Sequence, residues 1–131
     1  MIGVYVGNII ECLEDLANYD LQKIAWFDND QGLSYSFDEN VEDIFDFTGY
    51  RQAIEAGGII FSKEADKFLN ELEKACDALG YDWAGKEKKL LESEEMKIIR
   101  EMAKGCLKLI DKSDGSESTV KYLKAGEPQP E

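Results

Sequence analysis

The sequence predicts a single all-α domain, a bundle of about five or six helices that admits one short strand pair. Three observations predict it. Apolar residues recur at i, i+3, i+4 spacing through several separate stretches. Serines at 36, 62 and 93 stand just ahead of three of those stretches, where a helix takes its N-cap. A length of 131 residues with 44% hydrophobic content suits one core, so the net charge of -13 does not imply disorder. Residues 1–112 are read as the helical domain. Residues 113–131, polar and holding both prolines, are read as a flexible tail with at most one short strand at "STVKYL".

The first helix is expected over residues 2–18, with Ile2, Tyr5, Val6, Ile9, Ile10, Leu13, Leu16 and Ala17 on one face. Gly3 and Gly7 weaken its start, and a strand at "GVYV" is the alternative. Asp20 then caps a brief helix, "LQKIAWF". After the polar "DNDQGLSYS", Ser36 and Glu39 form an S-x-x-E capping box. The helix it opens turns Phe37, Val41, Ile44 and Phe45 inward and ends near Gly49. "RQAIEAGGIIF" reads as a short helix, a turn at Gly57 and Gly58, and either helix or extended chain beyond. Ser62 caps a helix over "KEADKFLNELEKACDAL" that stops at Gly80. "YDWAGKEKKL" is read as a linker, and Ser93 caps the last helix, with Met96, Ile99, Met102, Ala103, Cys106, Leu107 and Ile110 buried.

Catalytic devices are scarce. Histidine is absent, which removes His-Cys zinc sites, Ser-His and Cys-His pairs and the commonest general base. No glycine-rich loop has phosphate-binding spacing. Cys12, Cys76 and Cys106 are odd in number, lie in apolar contexts, and read as buried free thiols of a reducing compartment. No apolar run approaches the roughly 18 residues of a membrane span, and the acidic start does not read as a signal peptide. The expectation is therefore a cytoplasmic protein that is not an enzyme and needs no cofactor.

The charge is concentrated. Residues 1–60 hold 12 Asp/Glu against 2 Lys/Arg, whereas residues 61–131 hold 16 against 13. Such a field repels nucleic acid and anionic membrane and steers a basic protein toward the N-terminal half. Within it, residues 24–50 contain no base to pair the carboxylates at i, i+4 spacing. Aromatic rings lie on both sides of that charge, more than one helix can bury. Exposed rings beside carboxylates suit a basic protein partner, with rings as anchors and charges for steering. The candidate partner-binding residues are Trp26, Asp28, Asp30, Tyr35, Asp38, Glu42, Asp43, Asp46, Phe47 and Tyr50. Trp83, beside Tyr81, is read as core packing before binding.

A calcium loop is the alternative. Asp28, Asp30, Gly32, Ser34, Ser36 and Glu39 fall on the ligand positions of an EF-hand, giving a divalent-cation binding module over Asp28–Glu39. Leu33 stands where the loop needs glycine, and Gly32 offers no side-chain ligand, so no metal ligand is assigned. A general acidic protein-interaction domain is the remaining alternative.

The run "IAWF", then "SYSFDENVEDIFD", "GGIIFSKEADKFLNEL" and "MKIIREMAKGCLKLI", resembles small acidic helical immunity proteins of contact-dependent inhibition and related polymorphic toxin systems. The resemblance covers residues 20–110. Phe47 follows Asp46 where the family pattern suggests a second aspartate. The resemblance implies a cytoplasmic bacterial protein that binds one cognate toxin domain and blocks it, with no small-molecule substrate.

Overall fold

The structure is a computed structural model that describes residues 2–27, 37–81, 83, 86–110 and 120–123. Its architecture is all-α with one short antiparallel strand pair. Strand β1 (Ile2–Tyr5) replaces the first turn of the expected helix, so the strand alternative holds there. Gly3 disfavours helix, and the alternation of an extended chain buries Val4 while leaving Tyr5 exposed. The Tyr5 amide donates to Thr48 O at 2.9 Å, and β2 (Val120–Leu123) pairs with β1 from Ile2 against Leu123 to Tyr5 against Val120. That strand lies within the stretch expected to be a tail, at "STVKYL"; residues 111–119 and 124–131 lie outside the described residues.

Helix α1 (Val6–Leu16) buries Val6, Ile9, Ile10, Leu13 and Leu16. Helix α2 (Tyr19–Phe27) begins two residues earlier than expected, because Asn18 rather than Asp20 caps it: its Oδ1 accepts from the Leu21 amide at 3.0 Å. Helix α3 (Phe37–Glu42) widens into a π-helical turn over Asp43–Phe47. Phe37, Val41, Ile44 and Phe45 are buried as the periodicity predicts; Ser36, and with it the capping box, lies outside the described residues. The segment ends at Gly49, whose φ of +81° places it in the left-handed region and whose amide donates to Asp46 O at 3.1 Å.

Helix α4 (Tyr50–Glu55) closes on the turn at Gly57 and Gly58. The chain beyond is neither helix nor strand. Asp66 organises it, accepting from the amides of Ile60 at 2.8 Å and Phe61 at 3.3 Å. Helices α5 (Lys63–Leu79) and α7 (Glu94–Leu109) carry the predicted serine caps, with Ser62 accepting from Ala65 N at 3.0 Å and Ser93 from Met96 N at 3.1 Å. Each cap stabilises its helix by about 1 kcal/mol. Between them, the expected linker contains α6 (Glu87–Leu91), which buries Leu90 and Leu91. Counting such short turns, seven α-helices are described where about five or six were expected from periodicity.

Helix α7 is the central element and packs against both α1 and α5. It also carries a buried polar node. Arg100 donates to Gln22 Oε1 at 3.0 Å and to Leu91 O at 3.1 Å, with its guanidinium 5.1 Å above the Tyr19 ring. Gln22 in turn donates to Leu16 O at 2.7 Å, so one network ties the C-terminal ends of α1 and α6 to the core helix. Burial draws the Arg100 pKa down, and electrostatic interactions with Tyr19 and Glu92 oppose that only in part. All three cysteines are free; Cys76 and Cys106 are buried as expected and Cys12 is only partly so. Burial pushes each thiol up to about 12, with Asp43 adding to the effect at Cys12. None of the described helices is long and apolar enough to cross a membrane.

Candidate functional site

Two adjoining hollows form where the acidic α3 segment faces the chain leaving α5. The first, of about 220 Å³, is lined by Trp26, Phe37, Asp38, Tyr81, Trp83, Glu87 and Leu90. The second, of about 230 Å³, is lined by Asp38, Val41, Glu42, Asp46, Arg51, Asp77 and Tyr81. Asp38 and Tyr81 belong to both, so the two make one groove, aromatic at one end and carboxylate-rich at the other.

Local sequence explains how the walls stand. The cap at residue 80 stops α5, and the next aromatics fold back on the bundle. The Tyr81 ring stacks on Phe37 with centroids 5.8 Å apart and planes 24° from parallel. Its hydroxyl donates to Asp77 Oδ1 at 2.5 Å, one helical turn earlier. Burial and that carboxylate push the phenol well above its usual pKa, so it stays protonated. The Trp83 indole donates to Gly80 O at 3.1 Å, which fixes the second ring. Trp26 differs: its Nε1 is buried, and among the described residues it has no acceptor.

Of the residues proposed from sequence, Trp26, Asp38, Glu42 and Asp46 converge on this groove. Asp43 and Phe47 are exposed but line neither hollow. Phe47 is 71% exposed, the most exposed large apolar side chain among the described residues. Asp43 lies near Cys12 and Glu39; partial desolvation, then Glu39, hold its carboxyl above the usual range. Asp28, Asp30 and Tyr35 lie outside the described residues, as does most of the Asp28–Glu39 loop. Among the described residues no group of three or more Cys, Asp or Glu side chains is placed to hold a metal ion.

Two expectations are corrected. Tyr50 is not an exposed ring: it is 4% exposed, with its edge against Phe45 and its hydroxyl donating to Asp66. The acidic segment is also not without a base, since Arg51, one position past residues 24–50, pairs with Asp46 at 2.7 Å and with Glu73 of α5. Sequence reading missed Tyr81, Asp77, Glu87 and Arg51 as groove residues and gave Trp83 to the core. Trp83 does pack against the core, and it lines the groove as well. The available signal was the pair of aromatics in "GYDW", directly after a helix stop.

Comparison with known proteins adds nothing to this geometry: no protein-family model, no curated protein and no solved structure matches the chain.

Proposed function

We propose that the chain is a binding protein without catalysis of its own, an immunity protein that neutralises a cognate basic toxin domain in the cytoplasm. The observation that carries this reading is the groove, where Asp38, Glu42, Asp46 and Asp77 lie beside a stacked aromatic wall. Its Asp38, Glu42 and Asp46 come from the more acidic part of the chain, whose field steers a basic partner and speeds its docking. Ring anchors next to carboxylates suit a protein surface rich in lysine and arginine, as on a nuclease that must hold phosphates. Seated there, the carboxylates occupy the places of substrate phosphates and block the toxin by competition. The resemblance of residues 20–110 to immunity proteins of polymorphic toxin systems supports the same reading.

The test is binding to the toxin domain encoded beside this chain. A tight one-to-one complex is expected, with an association rate that falls steeply as salt is raised. Reversing Asp38 and Glu42 together to lysine should weaken it by well over tenfold, since breaking buried charge pairs costs about 2–5 kcal/mol. Asp43→Lys, outside the groove, should cost much less. A dissociation constant unmoved by the double reversal would remove the groove from the interface, and a gene with no toxin reading frame beside it would count against the immunity role.

A further inference from the structure

We infer that the aromatic end of the groove is a receptor pocket for one arginine side chain of the protein partner. This rests on the reading above only in assigning the arginine to a basic protein; the pocket itself is argued from its walls. Its volume of about 220 Å³ lies below the roughly 300–1,000 Å³ of cavities that enclose whole small molecules, and suits a single side chain. The walls are the indoles of Trp26 and Trp83 and the Phe37–Tyr81 stack, and Asp38 stands at the boundary with the carboxylate hollow. Aromatic faces attract a cation, and tryptophan does so most strongly. A planar guanidinium stacks on such faces and presents a fork of donors to a carboxylate, which a lysine ammonium does not.

The walls are set in advance. Tyr81 is tethered to Asp77 and Trp83 to Gly80, so binding spends little on ordering them. Trp26 is the exception, with a buried indole N–H that meets no acceptor among the described residues. Leaving that donor unpaired is unfavourable, and an arginine residue brings backbone carbonyls alongside its guanidinium. Trp26 is therefore the wall that should move when the pocket fills, turning its N–H toward a carbonyl of the incoming chain. In the adjoining hollow Asp46 is already paired with Arg51, so Glu42 is the carboxylate there that adds attraction at the mouth.

The chain has two tryptophans and both line this pocket, so every indole signal reports on it. The experiment is a titration of the full chain with N-acetyl-arginine amide, followed by the two indole N–H resonances. N-acetyl-citrulline amide, equal in shape but uncharged, is the control. Arginine amide should shift both resonances saturably, Trp26 more than Trp83, and bind about tenfold or more tightly than citrulline amide. Asp38→Asn, at a half-buried position, and Tyr81→Ala, at an exposed one, should each weaken the arginine response several-fold. Equal responses to the two amides, no response to either, or a response untouched by both substitutions would overturn the pocket. Failure of toxin binding with the arginine response intact would instead overturn the immunity reading and leave the pocket standing.

Discussion

Tyr50 ends the acidic segment with its ring turned inward, 6.1 Å from Phe45, and with its hydroxyl donating to Asp66 Oδ1 at 3.1 Å. Burial and Asp66 keep that phenol protonated far above its usual range. Asp66 also receives the amides of Ile60 and Phe61, so it stays hydrogen-bonded when the phenol is removed. Tyr50→Phe should accordingly cost only about 0.5–1.5 kcal/mol in urea unfolding and leave partner affinity unchanged. A large loss of affinity would return Tyr50 to the surface where sequence alone placed it. The misreading has a plain cause: the residue that draws Tyr50 inward lies sixteen positions away. Single-residue composition marks a ring as apolar and says nothing of such a distant partner. Phe47, three positions earlier, stays outside.

Elements whose signals are local were legible. Ser62 and Ser93 cap their helices from the position just ahead of the first turn, and the stripes of α1, α5 and α7 follow 3.6-residue periodicity. Helix α6 spans five residues, too few to establish any period, and vanished into a linker. Strand β1 depends on β2 at the other end of the sequence, a pairing no local window contains. The groove was half legible for the same reason: its acidic side is one contiguous segment, while Tyr81 and Trp83 come from a different one. Gly49 offers a sharp test of how these elements meet. A Cβ there would stand 2.4 Å from the Gly3 carbonyl oxygen of β1, on a backbone already at φ +81°. At Gly57, with φ +88°, a Cβ would meet nothing within 4 Å. Gly57→Ala should thus cost only the left-handed penalty of about 1–2 kcal/mol. Gly49→Ala should cost clearly more, because β1 must also shift, and equal unfolding midpoints for the two variants would refute that account.

At the scale of the molecule, the charge of -13 acts against the folded state as well as toward a partner. Asp15 and Asp43 register this: desolvation first, then neighbouring glutamates, raise both carboxyls above their ordinary range. A carboxyl with a raised folded pKa binds its proton more tightly folded than unfolded, so stability falls as pH rises through that window. The melting temperature should therefore climb as pH is lowered from 7 to just above the usual carboxylate range. Asp15→Asn should flatten the climb, and a melting temperature that falls steadily over the same interval would contradict it. The strand pair has a consequence of another kind, in the order of events during synthesis. Residues 2–5 leave the ribosome early and residues 120–123 far later, yet each is the other's ladder partner. Helices α1 to α7 can assemble while translation continues, but β1 keeps one edge of open backbone until β2 arrives. The groove takes its residues from between these strands, so a binder can begin to form before its own seam is closed.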